Sequence, residues 1–222
     1  MDFTYEEQTK ATPLETYEWD NIWWDHPEEE AHRVLLIGDS ISCGYRRMVN
    51  ELLDGACYAD GFGTSKALDH PCFLEGVRYM AAQMKRCDLI HFNNGLHGWH
   101  LTAQAYERAY RAVMEQLQDL FPGTPIVIAL TTPVRDPEHP ACLGERNRIV
   151  QERNEIACRV AKDFGFEVND LYGLMAERGE LGHPGDSVHY TEAGYRVLAE
   201  QVANAVRRSQ KLCSAVPESC ER

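Results

Sequence analysis

Short apolar runs alternate along this chain with longer segments in which apolar residues recur at every third or fourth position. A continuous apolar run is typical of a strand covered on both faces, whereas the three-to-four spacing gives a helix one buried face. The pattern predicts strands at 34–37, 57–59, 89–92, 126–130 and 167–169. It predicts helices at 42–53, 73–85, 103–120, 145–164 and 192–208.

This alternation predicts a parallel sheet with helices on both faces, joined by right-handed crossovers. A chain of 222 residues suits one such domain. We expect the domain at 33–208, after an acidic N-terminal arm at 1–32 and before a tail at 209–222. The simplest interpretation of Trp19, Trp23 and Trp24 is that they pin the arm onto the domain. The alternative is that they line a binding site.

Composition limits the partners and the compartment. A formal net charge of −13 argues against nucleic acid and anionic membranes, because phosphate groups are bound by clustered Lys and Arg. No apolar stretch reaches the roughly 18–20 residues of a membrane span, and no secretory signal is visible at the amino terminus. The 8 cysteines contain no Cys-x-x-Cys pair and are interpreted as reduced thiols. We therefore expect a cytoplasmic protein.

Polar segments follow the predicted strands. Residues 38–40 (Gly-Asp-Ser) come after the first strand, 61–65 after the second, 93–97 after the third and 131–133 after the fourth. Function in an open parallel sheet collects at the carboxyl ends of the strands. We therefore expect these segments to meet at one edge of the sheet, together with His189 ahead of the last helix.

Three residues in these segments have the chemistry of nucleophilic catalysis. Ser40 is a potential nucleophile, and Asp186 and His189 stand three residues apart before the last helix. A serine needs a neutral imidazole to take its proton, and that imidazole needs an acceptor on its other nitrogen. The alternative is structural, with Asp39 or Ser40 capping one helix and the later pair lying in an ordinary loop.

With Gly38-Asp39-Ser40 near one end and Asp186-x-x-His189 near the other, residues 33–208 resemble the SGNH/GDSL hydrolase family of serine esterases and acyl hydrolases. The resemblance implies a flavodoxin-like, three-layer α/β/α sandwich with a central parallel sheet of about five strands. It also implies ester hydrolysis through an acyl-enzyme, without a metal or an organic cofactor.

The resemblance further implies an oxyanion hole. Its donors would be the backbone N–H of Ser40, the backbone N–H of Gly63 and the side-chain amide of Asn93. Gly61 is the alternative to Gly63, and Asn94 is the alternative to Asn93. The family's third block, Gly-x-Asn-Asp, is replaced here by residues 91–94 (His-Phe-Asn-Asn), which is a departure from the family pattern.

The expected substrate is a small-molecule or saccharide ester, most simply an O-acetyl ester. His97 and Trp99 are expected to bind it, since aromatic faces stack on sugars and polar side chains satisfy hydroxyls. The alternatives are a lysophospholipase or thioesterase and a non-catalytic flavodoxin-like binding module. A metal site built from His91, His97, His100 and His183 is disfavoured, because no carboxylate or thiolate completes a recognisable ligand spacing.

Overall fold

The structure, a computed structural model, describes residues 5–6 and 9–209. Two short strands, β1 (Tyr5–Glu6) and β2 (Leu14–Glu15), pair antiparallel with each other. The main sheet contains β3 (Asp20–Trp23), β4 (His32–Gly38), β5 (Cys57–Thr64), β6 (Leu89–Phe92), β7 (Ile126–Ala129) and β8 (Glu167–Asn169). Of the predicted tail, only residue 209 lies within the described residues.

The six strands are ordered β3-β5-β4-β6-β7-β8. The last five of these are parallel to one another, in the strand order of flavodoxin-like folds. β3 pairs antiparallel with β5 at the edge. The predicted three-layer sandwich is confirmed, but the sheet is mixed and has six strands. The prediction missed β3 because this short strand of the N-terminal arm contains no continuous apolar run.

The helices are α1 (Ser40–Leu53), α2 (Phe73–Gln83), α3 (Ala103–Leu120), α4 (Asn147–Phe164), α5 (Leu171–Ala176) and α6 (Glu192–Arg208). A 3-10 turn lies at Gly179–Leu181. Helices α1 and α6 cover one face of the sheet, and α2, α3 and most of α4 cover the other. None of the helices in the described part of the chain has an apolar stretch long enough to span a membrane.

Strand β4 shows why an uninterrupted apolar run is needed here. Val34 and Leu36 pack towards α1 and α6, whereas Leu35 and Ile37 pack towards α2 and α3. All four side chains are buried because both faces of the strand are covered. β4 therefore lies inside the sheet, and its carboxyl end leads directly into α1.

The arm is attached through residues on both faces of the sheet. Trp23 packs on the α1 side and donates its indole N–H to the carbonyl oxygen of Ala59 at 3.0 Å, whereas Trp24 packs on the α2 side. A Cβ at Gly61 would lie 2.0 Å from the Trp23 ring, so only glycine admits this contact.

Strand β5 continues to Thr64. Residues 61–64 therefore belong to the strand, and the prediction that they follow it is wrong. The division of the chain at residue 33 stays a prediction.

Candidate active site

A tight turn delivers Ser40 from β4 to the first position of α1. Asp39 is in an extended conformation and caps the helix, its side chain accepting the N–H of Ile41 at 2.9 Å. A Cβ on Gly38 would lie 2.0 Å from the Ser42 hydroxyl oxygen, so the turn requires glycine there. Ser40 is therefore held at a helix N-terminus on the carboxyl edge of the sheet.

The structure brings Ser40, His189 and Asp186 together across 149 positions of sequence. The Ser40 hydroxyl oxygen lies 2.8 Å from Nε2 of His189, and Nδ1 of His189 lies 2.8 Å from Oδ2 of Asp186. A carboxylate on Nδ1 fixes the tautomer in which Nε2 is free to accept a proton. This arrangement can remove the hydroxyl proton of Ser40.

Asp186 is suited to the role of acceptor because its own loop holds it ionised. Its Oδ1 accepts the main-chain N–H of Val188 at 2.8 Å and that of His189 at 3.0 Å. Burial by itself raises the pKa of Asp186, but these N–H groups and the imidazole lower it to about 2. The carboxylate is therefore charged at neutral pH, and its Oδ2 faces the imidazole of His189.

Arg135 lies beside the loop that carries Asp186, and sequence reasoning missed its contacts. The guanidinium group is buried and donates to the carbonyl oxygens of Pro140, Met175 and Ala176, the first at 3.0 Å. The main-chain N–H of Arg135 donates to the carbonyl oxygen of Ser187 at 2.7 Å. A lone charged residue after a strand gives no signal of such contacts, since its partners lie far away in the sequence.

Asn93 follows β6 and lies beside the nucleophile turn, with its main-chain N–H donating to Ile37 O at 2.9 Å. Its side-chain amide donates to Ala129 O at 2.7 Å and to the Thr131 hydroxyl at 3.1 Å. The amide of Asn94 donates to Lys66 O at 3.0 Å. The oxyanion role of Asn93 stays a prediction, and it requires the amide to exchange one of its present partners for the substrate.

Gly63 lies in β5, paired with Gly38 on one side and with Asn21 on the other. A Cβ at this position would lie 3.5 Å from Asp39 O and 2.4 Å from the Cys43 sulfur, so Gly63 is next to the nucleophile turn. Gly61 is two residues further from the carboxyl end of the strand. The position favours Gly63 over Gly61, although its oxyanion role stays a prediction.

His97 is in the loop that follows β6, but little of it is accessible. Its side chain is 4% exposed, and its Nδ1 lies 2.8 Å from Oε1 of Glu15 in the arm. The Trp19 ring packs against it in a T-shaped arrangement with a centroid separation of 6.4 Å. The predicted substrate contact of His97 is not tested by this placement, whereas its contact with the arm was not anticipated.

Trp99 is in the same loop, and the guanidinium groups of Arg146 and Arg153 lie over its ring at 5.4 Å and 4.9 Å from the centroid. Arg153 is buried in α4 and donates to the carbonyl oxygens of Gly95, His97 and Gly98. These hydrogen bonds tie the loop to α4. The role of Trp99 in substrate binding stays a prediction.

No group of three or more His, Cys, Asp or Glu side chains within the described ranges could hold a metal ion. His91, one of the four histidines considered for a metal, is buried in the sheet, and burial lowers its pKa to about 4. His97 pairs with Glu15, and His100 lies 2.9 Å from Asp69. These histidines have separate surroundings.

A family model described as the GDSL-like lipase/acylhydrolase family matches residues 36–197, which include Ser40, Asp186 and His189. No curated protein matches the sequence. Among solved structures, an acetyl xylan esterase is similar with a TM-score of 0.62 and 20% identity, covering 78% of this chain and 99% of that one.

Two further solved structures are similar. A carbohydrate acetylesterase from Sinorhizobium meliloti has a TM-score of 0.65 and 14% identity, covering 79% of this chain and 98% of that one. An inhibitor-bound aryl esterase from M. smegmatis has a TM-score of 0.63 and 15% identity, covering 80% of this chain and 99% of that one. Similarity at these identities establishes a shared fold.

Proposed function

Because the chain belongs to the GDSL-like lipase/acylhydrolase family, and is thus a carboxylic ester hydrolase, we propose that Ser40 is its nucleophile, with His189 as general base and Asp186 as the orienting acid. The observation that carries this proposal is the continuous hydrogen-bonded chain from Ser40 through His189 to Asp186, in which both links are 2.8 Å long. The links have the lengths that proton transfer requires.

The reaction proceeds in two halves. Ser40 Oγ attacks the ester carbonyl carbon while its proton passes to Nε2 of His189, and the resulting imidazolium is stabilised by Asp186. The imidazolium then protonates the leaving alcohol as the carbon–oxygen bond breaks, which leaves an acyl group on Ser40. Water attacks this acyl-enzyme with His189 again as base, and the acid product leaves.

The oxyanion of each tetrahedral intermediate forms beside the N-terminus of α1. The backbone N–H of Ser40 lies in the first turn of this helix, where the unpaired N–H groups favour negative charge. The N–H of Gly63 and the amide of Asn93 are the proposed additional donors. Losing one such donor typically lowers the rate by about 10²–10³.

The substrate we propose is an O-acetyl ester of a carbohydrate or of a similar small polar molecule. The solved structures described as an acetyl xylan esterase and a carbohydrate acetylesterase share this fold. The loop after β6 carries the half-buried Trp99 at the same edge of the sheet as Ser40, and an aromatic ring there suits the face of a sugar.

Two further proposals concern the cellular compartment and the bounds of the catalytic unit. Six cysteines of the described part of the chain are free thiols, which favours a reducing compartment such as the cytoplasm. The catalytic unit is proposed to span 33–208, with the arm packed along its edge strand.

An ester panel tests the function. Acetyl, butyryl, octanoyl and palmitoyl p-nitrophenyl esters are compared with an acetylated xylooligosaccharide, a lysophospholipid and an acyl thioester, by kcat/KM. We expect the acetyl esters to be cleaved fastest and Ser40→Ala to be inactive. Ser42→Ala, on the same helix, is the matched control and should remain active, since it loses only a hydrogen bond to Tyr45. A preference for long acyl chains would overturn the substrate proposal, and an active Ser40→Ala would overturn the mechanism.

A further inference from the structure

The loops after β6 and β7 contact each other at the carboxyl edge of the sheet. The side-chain amide of Asn93 donates to the Thr131 hydroxyl at 3.1 Å and to Ala129 O at 2.7 Å. A Cβ on Gly95 would lie 1.9 Å from the Thr131 hydroxyl oxygen, so the missing side chain of this glycine lets the two loops approach each other. The orientation of the Asn93 amide therefore depends on where Thr131 is held.

Beyond Leu130, a side chain replaces strand β8 as the hydrogen-bond partner of the chain after β7. β8 ends at Asn169, whose carbonyl oxygen accepts the N–H of Leu130 at 3.0 Å. At the next residue, Oδ1 of Asn154 accepts the N–H of Thr131 at 2.8 Å, and Nδ2 of Asn154 donates to Thr131 O at 2.9 Å. Both residues are buried. Unpaired main-chain groups are costly in a buried position, so these two hydrogen bonds hold Thr131 in place.

Asn154 lies in α4, the helix that also holds the loop after β6. Its neighbour Arg153 donates to Gly95 O at 3.0 Å. Successive residues of one helix thus bind both of the loops that meet at Asn93. The helix therefore sets the position of each loop relative to the other.

Asn93 needs a fixed side-chain orientation if it is to bind an oxyanion. Its main-chain N–H donates to Ile37 O, in the strand that leads to Ser40, so its backbone is tied to the nucleophile turn. The side chain itself has two rotatable dihedral angles, and the acceptors Ala129 O and Thr131 Oγ1 limit their rotation. A donor stabilises developing charge best when it is aimed before the reaction begins.

We propose that Asn154 is a positioning residue which, through Thr131, aims the side-chain amide of Asn93 at the oxyanion formed on the ester carbonyl. In the resting enzyme the Thr131 hydroxyl accepts one N–H of the amide. The oxyanion replaces this hydroxyl because a negative oxygen is the stronger acceptor, while Ala129 O keeps the other N–H. This inference rests on the proposed function, because the oxyanion arises from attack by Ser40.

The direct test is Asn154→Ala in the full chain, assayed with p-nitrophenyl acetate at a temperature below the unfolding transition. We expect kcat to fall about tenfold or more with KM unchanged, because the lost orientation matters only when the oxyanion forms. The loss should not exceed that of Asn93→Ala, about 10²–10³, because a misplaced amide forfeits at most what the amide contributes. An unchanged kcat, or a raised KM alone, would overturn the inference.

A double-mutant comparison separates positioning from a general loss of structure. In the Asn93→Ala background, Asn154→Ala should lower kcat by less than about twofold, since the amide that it positions is absent. A merely structural role would give the same fold loss of kcat in both backgrounds, and that result would overturn the inference. Hydrolysis measured with Ser40→Ala is subtracted as the background in each case.

Asn147→Ala is the matched control. Asn147 is buried in the same helix, about two turns before Asn154. It also holds the chain after β7, because its Oδ1 accepts the N–H of Val134 at 3.1 Å and its Nδ2 donates to the Tyr172 hydroxyl at 2.8 Å. We expect both variants to lower the Tm, since each leaves a buried N–H unpaired, but the kcat of Asn147→Ala to stay within about twofold of wild type. Equal losses of kcat in the two variants would overturn the inference.

Thr131→Val tests the same route if Asn154→Ala does not fold. Valine has the shape of threonine without the hydroxyl, so the Asn93 amide loses this acceptor and keeps Ala129 O. We expect kcat to fall about fivefold with KM unchanged, and Thr131→Ser, which keeps the hydroxyl, to recover most of the loss. A kcat equal to or above that of wild type for Thr131→Val would show that the hydroxyl competes with the oxyanion, and would overturn the inference.

The same variants separate this inference from the proposed function. If Ser40→Ala is inactive but Asn93→Ala keeps a normal kcat, Asn93 is not the oxyanion donor, and the inference fails while the Ser40 mechanism stands. If the wild-type protein hydrolyses no ester, or Ser40→Ala remains active, the proposed function fails and the inference fails with it.

Discussion

Replacing Asp186 with asparagine tests how the carboxylate controls His189. Oδ1 of Asp186 accepts the main-chain N–H groups of Val188 and His189, and Oδ2 faces Nδ1 of His189. In Asp186→Asn the amide oxygen should stay on the two N–H groups, because turning the amide would set its NH₂ against two donors. The NH₂ then donates to Nδ1, which forces the proton of the imidazole onto Nε2.

This tautomer cannot accept the Ser40 proton, since Nε2 at 2.8 Å from Ser40 Oγ already carries one. Restoring the productive tautomer requires the amide to turn, at the cost of two hydrogen bonds worth about 1–1.5 kcal/mol each and of leaving their donors unpaired. The variant also lacks the negative charge that stabilises the imidazolium. Together these effects predict a loss of about 10³–10⁴ in kcat, or roughly 4–5.5 kcal/mol.

The assay is hydrolysis of p-nitrophenyl acetate, with thermal unfolding as the check that the loop is intact. Asp136→Asn is a close control, because Asp136 and His139 repeat the same spacing and Asp136 Oδ1 accepts the N–H groups of Glu138 and His139 at 2.8 Å and 3.2 Å. His139 is 72% exposed, so this variant should keep full activity. If Asp186→Asn were as active as Asp136→Asn, the tautomer argument would be refuted.

Three other predictions follow from the same contacts. Asn93→Ala should lower kcat by about 10²–10³ with little change in KM, and Asn94→Ala should not; the reverse result would show that Asn94 is the oxyanion donor. The pKa of Asp186 is lowered to about 2 in the folded protein, from an ordinary value near 4. The ionised carboxylate therefore stabilises the folded state above about pH 4, and this stabilisation is lost as the pH falls from about 4 towards 2. The Tm should therefore fall less for Asp186→Asn than for wild type as the pH is lowered across this range. Equal decreases in Tm would contradict the assignment of the low pKa to Asp186. EDTA should leave esterase activity unchanged, since a Ser–His–Asp set requires no metal, and inactivation reversed by added metal would contradict this.

The elements with strong apolar patterns could be predicted closely from the sequence. The bounds of β6, β8, α3 and α6 agree with the predicted ranges, because apolar periodicity and a capping threonine before each of the two helices mark them locally. β3 could not be predicted, as its stability comes from pairing with β5 and from Trp23 packing under Arg46. The extension of β5 through the buried Asp60 was also missed, because Arg33 pairs with this carboxylate from 27 positions away.

The candidate site, like the fold, could be predicted from the sequence only in part. The contact between Ser40 and His189 could be predicted from the rule that the carboxyl ends of parallel strands share one edge of the sheet. The three-residue spacing of Asp186 and His189 could not have predicted it, because Asp136 and His139 have the same spacing and lie on the surface. The contact of Glu15 with His97 spans 82 positions, and no periodicity signals it. Long-range contacts of single charged side chains depend on the completed fold, so the residues that support the site were not predictable.

Covalent labelling of the wild-type protein tests the central claim most directly. A fluorophosphonate reacts with a serine that an adjacent imidazole activates, and mass spectrometry of the peptides locates the adduct. We predict one adduct, on Ser40, and its absence from Ser40→Ala and from protein unfolded before labelling. An adduct on Ser42 or Ser65, or no adduct on a protein that hydrolyses esters, would contradict the assignment of Ser40 as the nucleophile.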